Sequence, residues 1–341
     1  MGLLAFSCCF TQNYPTLFGA DARIGLFSSK INHIETTTIR ARGKLLLTAE
    51  YFVLDGALAL ALPTKAGQTF QFAPGEGSEG QIHWQSFDHL GQRWFEALFA
   101  LSGECLQTSD TATAARLTQI FHAIHQLTDT WFPASTTIEA RLDFPRHWGL
   151  GSSSTLIAAL AQWAGVDAFH LLDLTFGGSG YDIACAFADE PVLYQRHGTQ
   201  PNWLTFPFAP PFQEQLYFVG LGTKQDSREG IARYRARNPA ADTGALHAIS
   251  GLTADFVRAT NLADFERCIN EHEQLVSKTL ELSRVAEVYF SDYWGAVKSL
   301  GAWGGDFVLA TSQAGFDETV RYFAEKGYPE VFRYGDMGMG K

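Results

Sequence analysis

Apolar and polar residues alternate most regularly at 138–144, where Ile138, Ala140, Leu142 and Phe144 are separated by Glu139, Arg141 and Asp143. A period of two puts one set on each face of a strand, and Pro145 ends the run. A glycine loop follows, and Ser152–Ala164 then reads as a helix. Upstream, Leu117, Ile120, Phe121 and Ile124 recur at helical spacing and predict one apolar helix face. Regular structure begins near Arg40. Lys44–Leu47 and Ala57–Leu62 are apolar runs of strand length, and Gln68–Ala73 with Gln81–Phe87 reads as a hairpin split by the turn-rich Pro74–Gly80. Between Arg196 and Gln215 four prolines interrupt the pattern, which places a domain boundary there. The second half opens with a strand at Leu216–Gly222 and turns mostly helical, with a glycine loop at Gly301–Gly305 before a strand at Phe307–Thr311. Strands first and helices later predict an α+β chain. The expected division is an extension at 1–38, a first domain at 39–200 and a second at 201–341.

A length of 341 residues fits two domains at roughly 150 residues each. The formal net charge of -11 opposes nucleic acid, without excluding anions held by local donors. No apolar run reaches about 18 residues, so no membrane span is expected. Met1 to Phe10 is apolar but lacks the basic start of a secretory signal, and Phe6 breaks the myristoylation pattern, so residues 1–38 read as a disordered extension. Cys8, Cys9, Cys105, Cys185 and Cys268 form no C-x-x-C pair, which points to a reduced, cytoplasmic compartment. His122 and His125 lie one helical turn apart and read as structural.

Four segments carry candidate chemistry. Gly149-Leu150-Gly151-Ser152-Ser153-Ser154-Thr155 lies between the clearest strand and a helix. The first N–H groups of a helix lack intrahelical partners, and its dipole adds positive charge there. Glycines admit a ligand close to the backbone, so the segment suits a phosphate cradle as well as it suits a simply capped helix. It is not a Walker A loop, because no lysine follows the last glycine; the G-x-x-x-x-G-K spacing at Gly335–Lys341 ends the chain with no helix after it. Arg40-Ala41-Arg42-Gly43-Lys44 puts a lysine beside a glycine at a strand start. Gly177-Gly178-Ser179-Gly180-Tyr181-Asp182 places a carboxylate where apolar residues resume, fit either to accept a hydroxyl proton or to cap a helix. Gly301-Ala302-Trp303-Gly304-Gly305-Asp306 is a glycine turn before a strand.

In order and approximate spacing these segments resemble the GHMP kinase superfamily, which includes galactokinase, homoserine kinase, mevalonate kinase and phosphomevalonate kinase. Ala41 to Tyr51 is similar to the first motif (A-P-G-K, then G-E-H or G-E-Y), Pro145 to Ser153 to P-x-x-x-G-L-G-S-S, Ser179 to Asp182 to S-G-x-D, and Gly301 to Gly305 to the late glycine motif. The run Gly180-Tyr181-Asp182-Ile183-Ala184 resembles a bacterial subgroup named for those residues (GYDIA). The likeness runs from about Arg40 to the C-terminus. It implies an α+β, two-domain GHMP kinase fold, with an N-terminal ribosomal-S5-like α/β domain, a C-terminal α+β domain, and ATP and substrate between them.

It also implies roles. Gly149, Leu150, Gly151, Ser152, Ser153 and Ser154 would wrap the ATP phosphates, with Ser153 a ligand to Mg²⁺. Asp182 would be the base and Lys44 its neighbour near the acceptor hydroxyl, while Gly304 and Gly305 would shape the floor. Glu50, Tyr51, Ser179, Gly180, Lys224 and Ser227 are the expected substrate contacts, and Asp173 is the expected acidic Mg²⁺ ligand. Arg42, Ala49, Trp303 and Asp306 depart from the pattern, and Trp303 should narrow the pocket. The implied activity is ATP-dependent phosphorylation of a hydroxyl or phosphate on a small metabolite, in a protein with no nucleic-acid or membrane partner that is compatible with a homodimer. An ATP-dependent diphosphate decarboxylase and a non-catalytic binding protein of the same fold are the alternatives.

Overall fold

The computed structural model describes residues 35–75, 80–128, 135–222, 227–237 and 242–338, apart from the side chains of Ser227 and Arg228. Most of the expected extension, 1–34, lies outside them, and the first strand already begins at Thr37.

The first sheet has eight strands: β1 (Thr37–Leu46), β2 (Ala59–Pro74), β3 (Gln81–Phe87), β4 (Arg93–Ala100), β5 (Cys105–Thr108), β6 (Thr136–Leu142), β7 (Val192–His197) and β8 (Gln200–Thr205). They run β5-β4-β3-β6-β2-β7-β8, with β1 paired to β2. Strand β2 pairs with β6 over Gln68–Pro74 and with β7 over Ala59–Ala61. The expected β2–β3 hairpin does not form, because β6 lies between them, antiparallel to β2 and parallel to β3. The alternation of β3 is compatible with either neighbour; its own hairpin partner is β4. The 200/201 division falls inside β8, which pairs with β7 in this sheet.

Helices α1 (Thr111–Leu127), α2 (Ser152–Ala164) and α3 (Ala168–Leu174) pack on the sheet. The α1 stripe of Leu117, Ile120, Phe121 and Ile124 is buried there with Phe70, Phe72, Trp84 and Ile138. A short helix α4 (Tyr181–Phe187) runs beside α2 and β1. The remaining elements are β9 (Leu216–Gly220), α5 (Ser227–Ala236), α6 (Thr243–Arg258), α7 (Leu262–Leu280), α8 (Val285–Tyr289), β10 (Val297–Leu300), β11 (Phe307–Thr311), α9 (Phe316–Glu325), β12 (Val331–Arg333) and α10 (Tyr334–Met337). Strands β10-β11-β9-β12 form a second, antiparallel sheet.

The two sheets share a core. Leu45, Leu60, Leu62 and Leu150 pack with Phe218, Phe256, Phe265 and Leu309. That junction fixes the end of β1, the start of α2 and the loop before β11 against one another. Among the described residues no helix is long and apolar enough to cross a membrane.

Candidate active site

The glycine loop is tied to β1 by Lys44. The register of β1 on β2 slips between Arg42 and Lys44, a bulge that re-aims the lysine. Lys44 donates its backbone N–H to Leu150 O at 3.0 Å and its ammonium to Gly149 O at 2.9 Å. Gly151, at φ 90°, is the N-cap of α2 and has no side chain to accept from the helix's first N–H groups. Those groups therefore remain available to an anion. The three serines divide the work. Ser153 is exposed and Ser152 partly so, whereas Ser154 is buried and donates to Gly151 O at 2.7 Å. Ser154 is thus turned to the loop backbone and not to the outer surface of the cradle. The Leu150 side chain is wholly in the core.

Asp182 stands in the first turn of α4, whose N-cap is Gly180 at φ 90°. It does not cap the helix; its Oδ1 accepts from Ile183 N at 3.1 Å. Burial pushes the Asp182 carboxyl above its ordinary 3.8, against the nearby Lys44 charge, which pulls it down. Behind it the Cys185 thiol is raised by burial and by the Asp182 charge, so it stays protonated. Ser179 anchors this turn through its carbonyl, which accepts from the Tyr194 hydroxyl.

Two expected site residues have other employment. Asp173 is held by Arg196, whose Nη2 lies 3.0 and 3.1 Å from its two oxygens. The same guanidinium donates to Gly178 O at 2.5 Å and Gly198 O at 2.7 Å. Asp173 thus props the glycine turn ahead of Asp182, and its oxygens are already committed to a cation. Glu50 is fully buried and cannot meet a substrate from solvent. Its carboxylate pairs with Lys298, and His272 Nε2 is 3.2 Å away. Glu273 lies 3.7 Å from the same ammonium. His272 Nε2 accepts from Ala49 N at 2.8 Å, so this cluster clamps a turn in which Ala49 and Tyr51 both sit at positive φ, 62° and 65°. Left-handed backbone is costly for non-glycine residues and persists only where surrounding contacts enforce it. Burial holds the His272 imidazole well below its ordinary 6.5, so it stays neutral.

Burial likewise pushes Glu273 from 4.5 up to about 8, against the pull of Lys298. Unfolded chains release that proton near pH 4.5 and the folded chain only near 8, so stability falls as pH rises through this window. At about 1.4 kcal/mol per pKa unit the loss amounts to a few kcal/mol. Glu273→Gln is expected to remove most of that slope and to be the more stable protein at pH 8. Melting curves from pH 5 to 9 test this, and parallel curves for the two proteins would rule it out.

The late glycine loop supplies Asp306, a departure from the motif this loop resembles. A Cβ on Gly149 would overlap the Asp306 carboxylate, so Gly149 is the notch into which Asp306 fits. Trp303 does enter the site, but folded down: its N–H donates to Tyr51 Oη at 2.9 Å and its indole to Ser283 O at 3.0 Å. Gly304 turns the loop at φ 78°, and Gly305 N donates to Ala302 O at 3.1 Å. Lys224 and the Ser227 side chain lie outside the described residues. The structure therefore brings together Lys44, Gly149, Gly151, Ser153, Asp182 and Asp306, with Tyr51 and Trp303 alongside. Glu50 and Asp173 are one layer back.

Solved structures share this architecture. A Lactococcus lactis galactokinase complexed with galactose matches with a TM-score of 0.66 at 13% identity, over 90% of this chain and 94% of that one. Streptococcus pneumoniae phosphomevalonate kinase in complex with phosphomevalonate and AMPPNP matches at 0.63 and 16%, over 87% and 99%. An L. major mevalonate kinase in complex with R-mevalonate matches at 0.59 and 15%, over 88% and 96%. No family profile and no curated protein sequence matches the chain. At these identities the likeness establishes the fold, which is the α+β GHMP-kinase fold expected from the motifs.

Proposed function

We propose that this chain, built on the GHMP-kinase fold, is an ATP-dependent kinase that moves the γ-phosphoryl group to a hydroxyl or phosphate of a small metabolite. One observation carries the reading: a helix start without a side-chain cap, a lysine fastened to its loop and a carboxylate within that lysine's field converge on one point. A capped structural helix would need none of the other two.

The α2 N–H groups and Ser152 receive the phosphates. Lys44 holds the Gly149 carbonyl, and its charge favours the ionised form of Asp182 against the effect of burial. Asp182 accepts the acceptor hydroxyl's proton as the oxygen attacks phosphorus in line. Catalysis here is positioning and charge stabilisation, with no covalent protein intermediate. Among the described residues no three His, Cys, Asp or Glu side chains form a metal cage. The oxygens beside the cradle, the exposed Ser153 hydroxyl and the Asp306 carboxylate against Gly149, suit Mg²⁺, which binds through one or two carboxylates plus substrate phosphates; these two residues would hold it. When bound, it neutralises charge on the β- and γ-phosphates.

Calorimetry with Mg-ATP tests the cradle. The wild-type protein is expected to bind, and Ser153→Ala to bind roughly five- to ten-fold more weakly, the worth of one polar contact. Equal affinity would remove the metal-ligand role, and no binding by the wild type would remove the kinase reading.

A further inference from the structure

Beside the cradle is a cavity of about 80 Å³ that the phosphoryl-transfer machinery does not use. Tyr51, Gly230, Arg233 and Trp303 line it, and Leu280 and Leu282 close it. A water occupies about 30 Å³ of liquid, so the space fits a headgroup of a few heavy atoms and not a whole metabolite.

Its polar lining consists mostly of donors. Tyr51 Oη already accepts from Trp303 N–H, which leaves the phenolic O–H to donate. Burial raises the Tyr51 phenol, so that proton stays on; the positive charge of Arg233 acts on it in the opposite direction. Arg235 pairs with Asp55 and Arg237 with Glu281, whereas Arg233 has no carboxylate partner among the described residues. Gly230 lets α5 lie directly on the Tyr51 ring, because a Cβ there would collide with the phenol; Arg233 follows one turn later on the same face. Glu229 also borders the cavity; it and Arg233 are both exposed at its mouth, where solvent and salt weaken the pull of the one and the repulsion of the other alike.

The cavity is also close to the reacting groups. Trp303 lines it and Asp306 packs on Gly149 of the cradle. Three residues of extended chain span at most about 11 Å, which bounds the separation of the two backbones along this loop.

We propose that this cavity is an anion subsite: the phosphoryl acceptor is an alcohol carrying a second, anionic group, a carboxylate or a phosphate ester, which Arg233 and Tyr51 hold. This rests on the kinase reading. It excludes neutral sugars and neutral alcohols as the preferred acceptor, and it makes Arg233 a specificity-determining residue that leaves proton transfer to Asp182.

The test is calorimetry at low salt on the full chain, with the cradle first saturated by Mg²⁺ and a non-hydrolysable ATP analogue. Inorganic phosphate and acetate are then titrated separately into wild type, Arg233→Gln and Arg233→Lys. At least one anion is expected to bind wild type, to lose about ten-fold or more in affinity in Arg233→Gln, and to recover partly in Arg233→Lys. Preference for phosphate or for acetate identifies which headgroup the subsite takes. No anion binding by wild type, or equal affinity in wild type and Arg233→Gln, overturns the proposal. Failure of the ATP analogue to bind is a separate result, which removes the kinase reading while the Arg233 comparison is still read from the anion titrations.

Discussion

Asp182→Asn is expected to lower phosphoryl transfer by ~10²–10⁴-fold, the usual contribution of one acid–base group, with little change in Mg-ATP affinity. Asparagine keeps the size and the contact to Ile183 N but cannot take a proton. The pH profile follows from the same environment. Burial raises the carboxyl above 3.8, and only its ionised form accepts a proton, so activity should fall as pH drops through that raised value. Lys44→Met should move the acid limb of the profile upward, because the nearby ammonium is the group that counters burial. Turnover of Asp182→Asn equal to wild type would show that this carboxylate is not the base.

Lys298→Met is expected to cost about 3–5 kcal/mol, the range for removing one partner of a buried ion pair. That is a large share of the roughly 5–15 kcal/mol that holds a domain folded. Lys298 is fully buried beside Glu50 and Glu273, and methionine would leave the Glu50 carboxylate with no cation in the core. The damage should reach the site, because Glu50 and His272 clamp the turn between Lys44 and Tyr51. Replacing all three together by apolar side chains, with Glu50→Met and Glu273→Met added, should recover much of the stability, since a matched apolar set often replaces a buried pair without loss. Denaturant midpoints decide the matter: an unchanged midpoint in Lys298→Met would mean that the cluster does not support the fold.

The strand, loop and helix from Ile138 to Ala164 were legible because period-two alternation changes to helical periodicity across two glycines, and both periods bury one face. The same holds for α1, whereas β11 was legible as a short continuous apolar run, all five of its residues being buried. Strand order was not legible. The alternation of β3 suits any neighbour, and long-range pairing placed β6 where a hairpin was expected. Glu50 was misread for a related reason. A carboxylate in an apolar stretch looks poised for a ligand until its partner is known, and Lys298 is 248 residues away in sequence. Asp173 repeats the case with Arg196. A sequence signal did exist for the Ala49 turn: the motif it resembles has glycine there, and the φ of 62° shows what that glycine would accommodate. Asp306 was visible only as an irregularity, since its fit against Gly149 depends on the second sheet packing onto the first.

The central claim is phosphoryl transfer through Asp182. It is tested most directly by incubating a bacterial metabolite extract with Mg-ATP and the protein, then following the small molecules by mass spectrometry with Asp182→Asn in parallel. The account predicts that one metabolite gains a single phosphoryl group with wild type, and only a trace of that product appears with the variant. Equal product in both samples, or no phosphorylated metabolite from a wild-type protein that binds Mg-ATP, would contradict it.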